Sequence, residues 1–212
     1  MSPRAVISDF GGVLTTPLIQ SFVAFQDETG IAMETLGKAM QRMAERDGGH
    51  PLFELEKGQI SEADFLSRIA DELEPELGHR PEMHRFSEIY FDALEPNQPM
   101  IDLMRELKEQ GLRMALLTNN VREWEPLWRS MVPIDELFEL VVDSAFVSCR
   151  KPEARIYEIM LERLAVSADE CLFVDDVEVN CVAARDLGMT AVHFRDNEQA
   201  IEEIRAALRT SA

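Results

Sequence analysis

Asp9 closes a short apolar run, Ala5-Val6-Ile7-Ser8-Asp9, and Phe10-Gly11-Gly12 follow at once. The run reads as a buried parallel strand. A carboxylate at such an end can act as nucleophile, metal ligand or simple helix cap. The glycine pair lets the backbone turn sharply and approach a ligand, which makes Gly12 a candidate substrate contact. Three later segments carry related chemistry. The run Arg113 to Leu117 ends in Thr118-Asn119-Asn120. Thr118 and Asn119 offer hydroxyl, amide and backbone N–H groups that suit phosphate oxygens. Lys151 precedes Pro152, and Pro152 fits the first turn of a helix, so an ammonium stands just before the helix start. Cys171-Leu172-Phe173-Val174 runs into Asp175-Asp176, with Asn180 four residues further on. Adjacent carboxylates repel one another, and Mg²⁺ takes oxygen ligands from one or two carboxylates plus phosphate and water. Each segment alone is equally compatible with an ordinary turn, cap or surface lysine. Taken in order, three of the four close strand-like runs, and the carboxyl ends of strands in an open parallel sheet converge on one ligand-binding crevice.

This order resembles the haloacid dehalogenase superfamily of phosphohydrolases. Within it the chain is most similar to the subgroup holding the N-terminal phosphatase domain of soluble epoxide hydrolase and the small sugar-phosphate phosphatases. Leu117-Thr118-Asn119, Lys151-Pro152-Glu153 with Ile156-Tyr157, and Asp175-Asp176 with Ala184-Arg185-Asp186-Leu187-Gly188-Met189 carry the likeness. It spans nearly the whole chain and speaks more strongly to fold and metal site than to substrate. The resemblance implies Asp9 as nucleophile, Thr118 and Lys151 as the groups holding the phosphoryl oxygens, and Mg²⁺ as cofactor. It implies Asp9, the Gly11 backbone carbonyl, Asp175 and Asp176 as the metal site, with Asp176 in direct contact and Asp175 acting through water. One position departs from the pattern. Phosphatases of this superfamily usually carry a second Asp two residues after the nucleophile as general acid/base, and here Gly11 stands there. General acid–base help is typically worth about 10²–10⁴ in rate. Some members of the subgroup also have Gly at that place, so the departure does not by itself imply a dead enzyme.

The rest of the chain must position these groups. From Thr16 to about Asn97 there is no strand pattern. Helical spacing fits Leu18 to Gln26, Leu36 to Met43 and Phe65 to Leu73, with Ser61 as an N-cap, and a further helix is predicted over Pro81 to Ala93. The resemblance makes this insertion, residues 16–97, a helical cap over the site. Residues 1–15 and 98–212 then form the catalytic core. There helix and strand alternate, which specifies an α/β fold: a three-layer, Rossmann-like parallel sheet with helices on both faces. His50, beside Gly48-Gly49 in a cap loop, is a candidate substrate contact. His193 is read as structural, and Trp124 and Trp128 as helix neighbours that pack.

With 212 residues the chain can bury one α/β core plus a small insertion. Its formal net charge of −19 argues against nucleic acid and anionic membranes as partners. It also sets a repulsive overall field against a phosphate substrate, so cations at the site must reverse it locally. The three cysteines lack metal-type spacing and read as reduced thiols in a cytoplasmic protein. No signal-peptide pattern or membrane-length apolar run is apparent. The expected function is Mg²⁺-dependent hydrolysis of a small phosphorylated metabolite through an aspartyl-phosphate. The alternatives are carbon–halogen hydrolysis, which leaves Asp175-Asp176 without a purpose, and a catalytically weak regulatory protein of the same fold. Composition does not specify an oligomeric state.

Overall fold

The computed structural model describes residues 3–209. Strand β1 (Ala5–Ser8) is followed by five helices, α1 (Ile19–Thr29), α2 (Met33–Asp47), α3 (Pro51–Glu56), α4 (Glu62–Leu77) and α5 (Phe86–Asp92). The chain then returns through α6 (Gln98–Glu109), β2 (Arg113–Thr118), α7 (Glu125–Met131), α8 (Ile134–Leu137) and β3 (Leu140–Asp143). It closes with α9 (Ser144–Val147), α10 (Ala154–Leu164), β4 (Cys171–Asp175), α11 (Glu178–Asp186), β5 (Thr190–His193) and α12 (Asn197–Arg209). The five strands form one parallel sheet in the order β3-β2-β1-β4-β5. The expected α/β class and doubly covered sheet are therefore present.

Central strands covered on both faces must be apolar on both. Every residue of β1 is buried. Successive side chains alternate between faces: Val6 joins the apolar layer that holds Met100 of α6 and Ile204 of α12, and Ile7 the layer that holds Tyr157 and Met160 of α10. The first layer continues without a break into the five inserted helices through Phe25, Met43, Ile69 and Phe86. Ser61 caps α4, its hydroxyl accepting the Asp64 N–H at 3.1 Å. The two passages into and out of the insertion run antiparallel and pair at Thr15 and Pro96. The Thr16 N–H donates to Glu95 O at 2.8 Å and the Asn97 N–H to Leu14 O at 2.9 Å.

Three details differ from expectation. Helix α3 was not foreseen; at six residues it spans less than two turns, too short for a periodic signal. The helix expected from Pro81 begins only at Phe86. Pro152 does not enter the first turn of a helix: α10 starts at Ala154, and the Lys151–Pro152 bond is cis.

Candidate active site

The strand order places Asp9, which directly follows β1, between Thr118 at the end of β2 and Asp175 at the end of β4. The Asp9 N–H donates to Val174 O at 2.8 Å, which extends the ladder one step and holds the carboxylate at the sheet rim. Lys151 enters from the turn before α10, and its side chain is only 1% exposed. Its ammonium bridges two carboxylates, at 2.7 Å from Asp9 Oδ1 and 2.6 Å from Asp175 Oδ2. Asn119 holds this lysine in place through its backbone. The Asn119 amide donates to Lys151 O at 3.0 Å, and Asn119 Oδ1 accepts the Lys151 N–H at 2.8 Å. The far side of Asp175 is satisfied as well: Oδ1 accepts from the Val177 N–H at 2.8 Å and from the Asn180 amide at 3.0 Å.

Asp176 completes the cluster. Asp9, Asp175 and Asp176 each offer a carboxylate oxygen, and these oxygens lie within 4.8 Å of one another. Burial pushes the Asp9 carboxyl up to about 8, with Asp175 and Asp176 adding repulsion and Lys151 opposing. Burial, then Asp175, pushes Asp176 up to about 6. The Lys151 ammonium stays protonated, because attraction to the two acids outweighs its own burial. Three clustered carboxylates against one ammonium leave an excess of negative charge that an oxygen-binding divalent cation suits. The Gly11 carbonyl accepts no hydrogen bond among the described residues, so it too is open to a cation. Gly12 shapes the cradle: its φ is +73°, and a Cβ there would lie 2.2 Å from Asp176 Oδ2.

Several expected contacts are placed differently. The Gly12 N–H is donated to Thr15 Oγ1 at 3.1 Å, and the missing side chain at Gly12 leaves room for Asp176. Asn119 spends its side-chain amide on the Lys151 backbone and so positions the cation. Lys151 itself is placed by that clamp, not by a helix start at Pro152.

A cavity of about 180 Å³ opens beside Gly11, Thr118 and Asn119, with most of its other walls formed by the inserted helices. Its lining is dominated by apolar and aromatic side chains such as Phe22, Phe65, Ile69, Phe86 and Trp124. His50 does not line it; its ring stacks on Phe53 at 4.6 Å. Trp124 and Trp128 both pack in the core as expected, and Trp124 also lines the cavity. Glu56 of α3 and Tyr90 of α5 carry the two ionisable side chains of the lining among the described residues. No short motif marks either of them.

A buried lysine is clamped between strand-end aspartates at the rim of a parallel sheet. The chain belongs to the haloacid dehalogenase-like hydrolase family, which it matches over residues 3–188. Rat bifunctional epoxide hydrolase 2 is 28% identical over 219 residues, covering 96% of this chain but only 38% of the rat protein. The chain thus spans well under half the length of that relative. The sesquiterpene phosphatase of Aspergillus oryzae is 29% identical over 212 residues and 95% of each chain. A Bacteroides thetaiotaomicron enzyme of the same superfamily, solved as a magnesium complex, shares the fold with a TM-score of 0.71. It is 22% identical over 97% of this chain and 100% of its own.

Proposed function

We propose that this hydrolase cleaves phosphate monoesters whose organic part is predominantly apolar, through an aspartyl-phosphate on Asp9. The observation that carries this reading is a cavity walled by aromatic side chains that reaches Gly11, Thr118 and Asn119, the last of which clamps Lys151. Asp9 attacks phosphorus in line. Lys151 neutralises charge on the phosphoryl oxygens, and the buried Thr118 hydroxyl supplies a donor to them. Asp175, tied to Asn180 and Val177, keeps Lys151 from collapsing fully onto the nucleophile. Asp9, Asp176 and the Gly11 carbonyl are the groups that would hold Mg²⁺, with Asp175 beside them. When bound, the ion supplies electrostatic stabilisation of the transferring phosphoryl group.

The apolar walls narrow the expected small phosphorylated metabolite to one with an apolar organic part. A sugar leaves hydroxyls that need partners, and burying them unpaired is costly. A hydrocarbon has no such demand. That an Aspergillus relative is a sesquiterpene phosphatase agrees with this choice. No helix among the described residues is long and apolar enough to cross a membrane.

The test is a series of linear alkyl phosphates against a sugar phosphate of equal charge, each with Mg²⁺ and with excess chelator. Burial of a methylene is worth about 0.8 kcal/mol, so kcat/KM should rise by up to about 4-fold per carbon until the cavity is full. Equal turnover of the sugar phosphate would refute the apolar specificity. Undiminished hydrolysis in chelator would refute the metal dependence and favour dehalogenase-type chemistry.

A further inference from the structure

The reaction above lacks one part. An alkyl alkoxide leaves poorly unless it is protonated, and the position two residues after the nucleophile is Gly11. We infer that Glu56, on the inserted helix α3, is the general acid and base that Gly11 cannot be; this rests on the phosphatase reading of Asp9. Glu56 lines the cavity that also touches Gly11 and Thr118, and it is the only carboxylic acid to do so among the described residues. Its Oε2 takes the Arg150 Nε at 2.5 Å, and both side chains are 15% exposed. Its Oε1 has no hydrogen-bond partner among the described residues. One oxygen is thus anchored and the other is free.

The anchoring is firm on every side. Arg150 is the residue before Lys151, and its guanidinium lies 3.9 Å from the centroid of the Phe53 ring, one turn back on α3. Lys57 pairs with Glu153 at 2.5 Å, across the same junction. Gly58 packs so closely that a Cβ would lie 2.4 Å from Ala145 O. The end of α3 is therefore fastened to the core loop that carries Lys151.

Charge around Glu56 suits both roles. The groups facing it are Arg150 and Lys151 from the core and Tyr90 from α5. Burial raises its carboxyl above the ordinary glutamate range, while Arg150 and Lys151 pull it back. Such a group can be protonated for one step and ionised for the next. Tyr90, the other ionisable side chain of the lining, is a poor substitute. Burial, with Glu56, Asp176 and Asp9 nearby, drives its phenol well above its ordinary value, too weak an acid and never a base for water.

The two steps balance. As Asp9 Oδ bonds to phosphorus, the ester P–O bond breaks, and the leaving oxygen takes the Glu56 proton to give the free alcohol. The Glu56 carboxylate then takes a proton from water. The water oxygen bonds to phosphorus, the P–O bond to Asp9 breaks, and inorganic phosphate departs. Asp9 is again a carboxylate and Glu56 again an acid.

The experiment compares an aryl and an alkyl phosphate in wild type, Glu56→Gln, Glu56→Asp, Tyr90→Phe and the double variant Gly11→Asp/Glu56→Gln, with folding checked by circular dichroism. Glu56→Gln should lower kcat/KM about 100-fold for the alkyl ester and less than about 5-fold for the aryl ester. With the aryl ester it should show a burst and accumulate an alkali- and hydroxylamine-labile phosphoenzyme, because the water step has lost its base. Gly11→Asp should restore at least about 10-fold of the alkyl rate in the Glu56→Gln background. Should Glu56→Gln fail to fold, Glu56→Asp must show the same selective loss in milder form. A uniform loss on both esters without a burst would reduce Glu56 to an anchor for α3 and overturn the inference. So would a selective loss appearing in Tyr90→Phe instead. If wild type itself hydrolyses neither ester in an Asp9-dependent way, the phosphatase reading fails first, and the inference with it.

Discussion

Lys151 is the pivot of the site's electrostatics. It is buried, and it satisfies two acids that would otherwise face each other. Removing one partner from a buried ion pair typically costs about 3–5 kcal/mol, because the remaining charge is left uncompensated. Removing Asp9 is different, since Lys151 keeps Asp175 and one unit of clustered negative charge is relieved. Two variants therefore separate structure from chemistry. Asp9→Asn should abolish turnover, by at least about 10³-fold, yet change stability by no more than about 1 kcal/mol. Lys151→Ala should lose activity and also about 3–5 kcal/mol in urea denaturation. Similar stability losses in both would mean that the pair acts mainly as a structural bridge.

Among the elements, the turn after β1 is the most tightly specified. Gly12 lies in the left-handed region and against Asp176, whereas Gly11 has no positive φ, and a Cβ there meets the mobile end of Leu18 at 3.0 Å. The two glycines thus do different work. Gly12→Ala must strain the turn and displace Asp176, and groups that orient metal ligands typically govern about 10–100-fold in affinity. Mg²⁺ titration followed by thermal unfolding should show that weakening in Gly12→Ala and less than about 3-fold in Gly11→Ala. Comparable effects at both positions would show that Asp176 is not seated by this contact. The same geometry explains why Gly11→Asp is a usable probe of proton transfer: the backbone there accepts a side chain.

The acidic charge acts on the protein's encounter with its ligand. A formal charge of −19 repels a phosphate dianion approaching from bulk solvent, and the repulsion is screened over about 10 Å at 0.1 M salt. With Mg²⁺ saturating, kcat/KM should therefore rise by roughly 2- to 5-fold between low and physiological ionic strength. A fall would show that Lys151, Arg150 and bound Mg²⁺ dominate the approach path. The cavity adds an opposing attraction for apolar esters, and the insertion that builds it shares one continuous apolar layer with the sheet.

Asp9, Thr118, Lys151 and Asp175-Asp176 were legible in the linear sequence, three of them because each closes an apolar run. A parallel sheet requires such runs, and its topology brings their ends to one rim. The alternating pattern after Asn97 specified the layers for the same reason. The tasks of individual side chains were not legible. Asn119 and Gly12 have residue types that suit phosphate, but their hydrogen bonds go to Lys151 and Thr15, and only packing could allot them. His50, beside Gly48-Gly49 in the insertion, is not among the residues lining the cavity. Glu56 was invisible because α3 is too short for a periodic signal; Tyr90 lies within a helix the spacing does predict, but the place of both in the cavity depends on how helices far along the chain fold back. Local patterns set which backbone forms and where each strand ends. Which groups share a cavity is decided by non-local packing, which no single segment encodes.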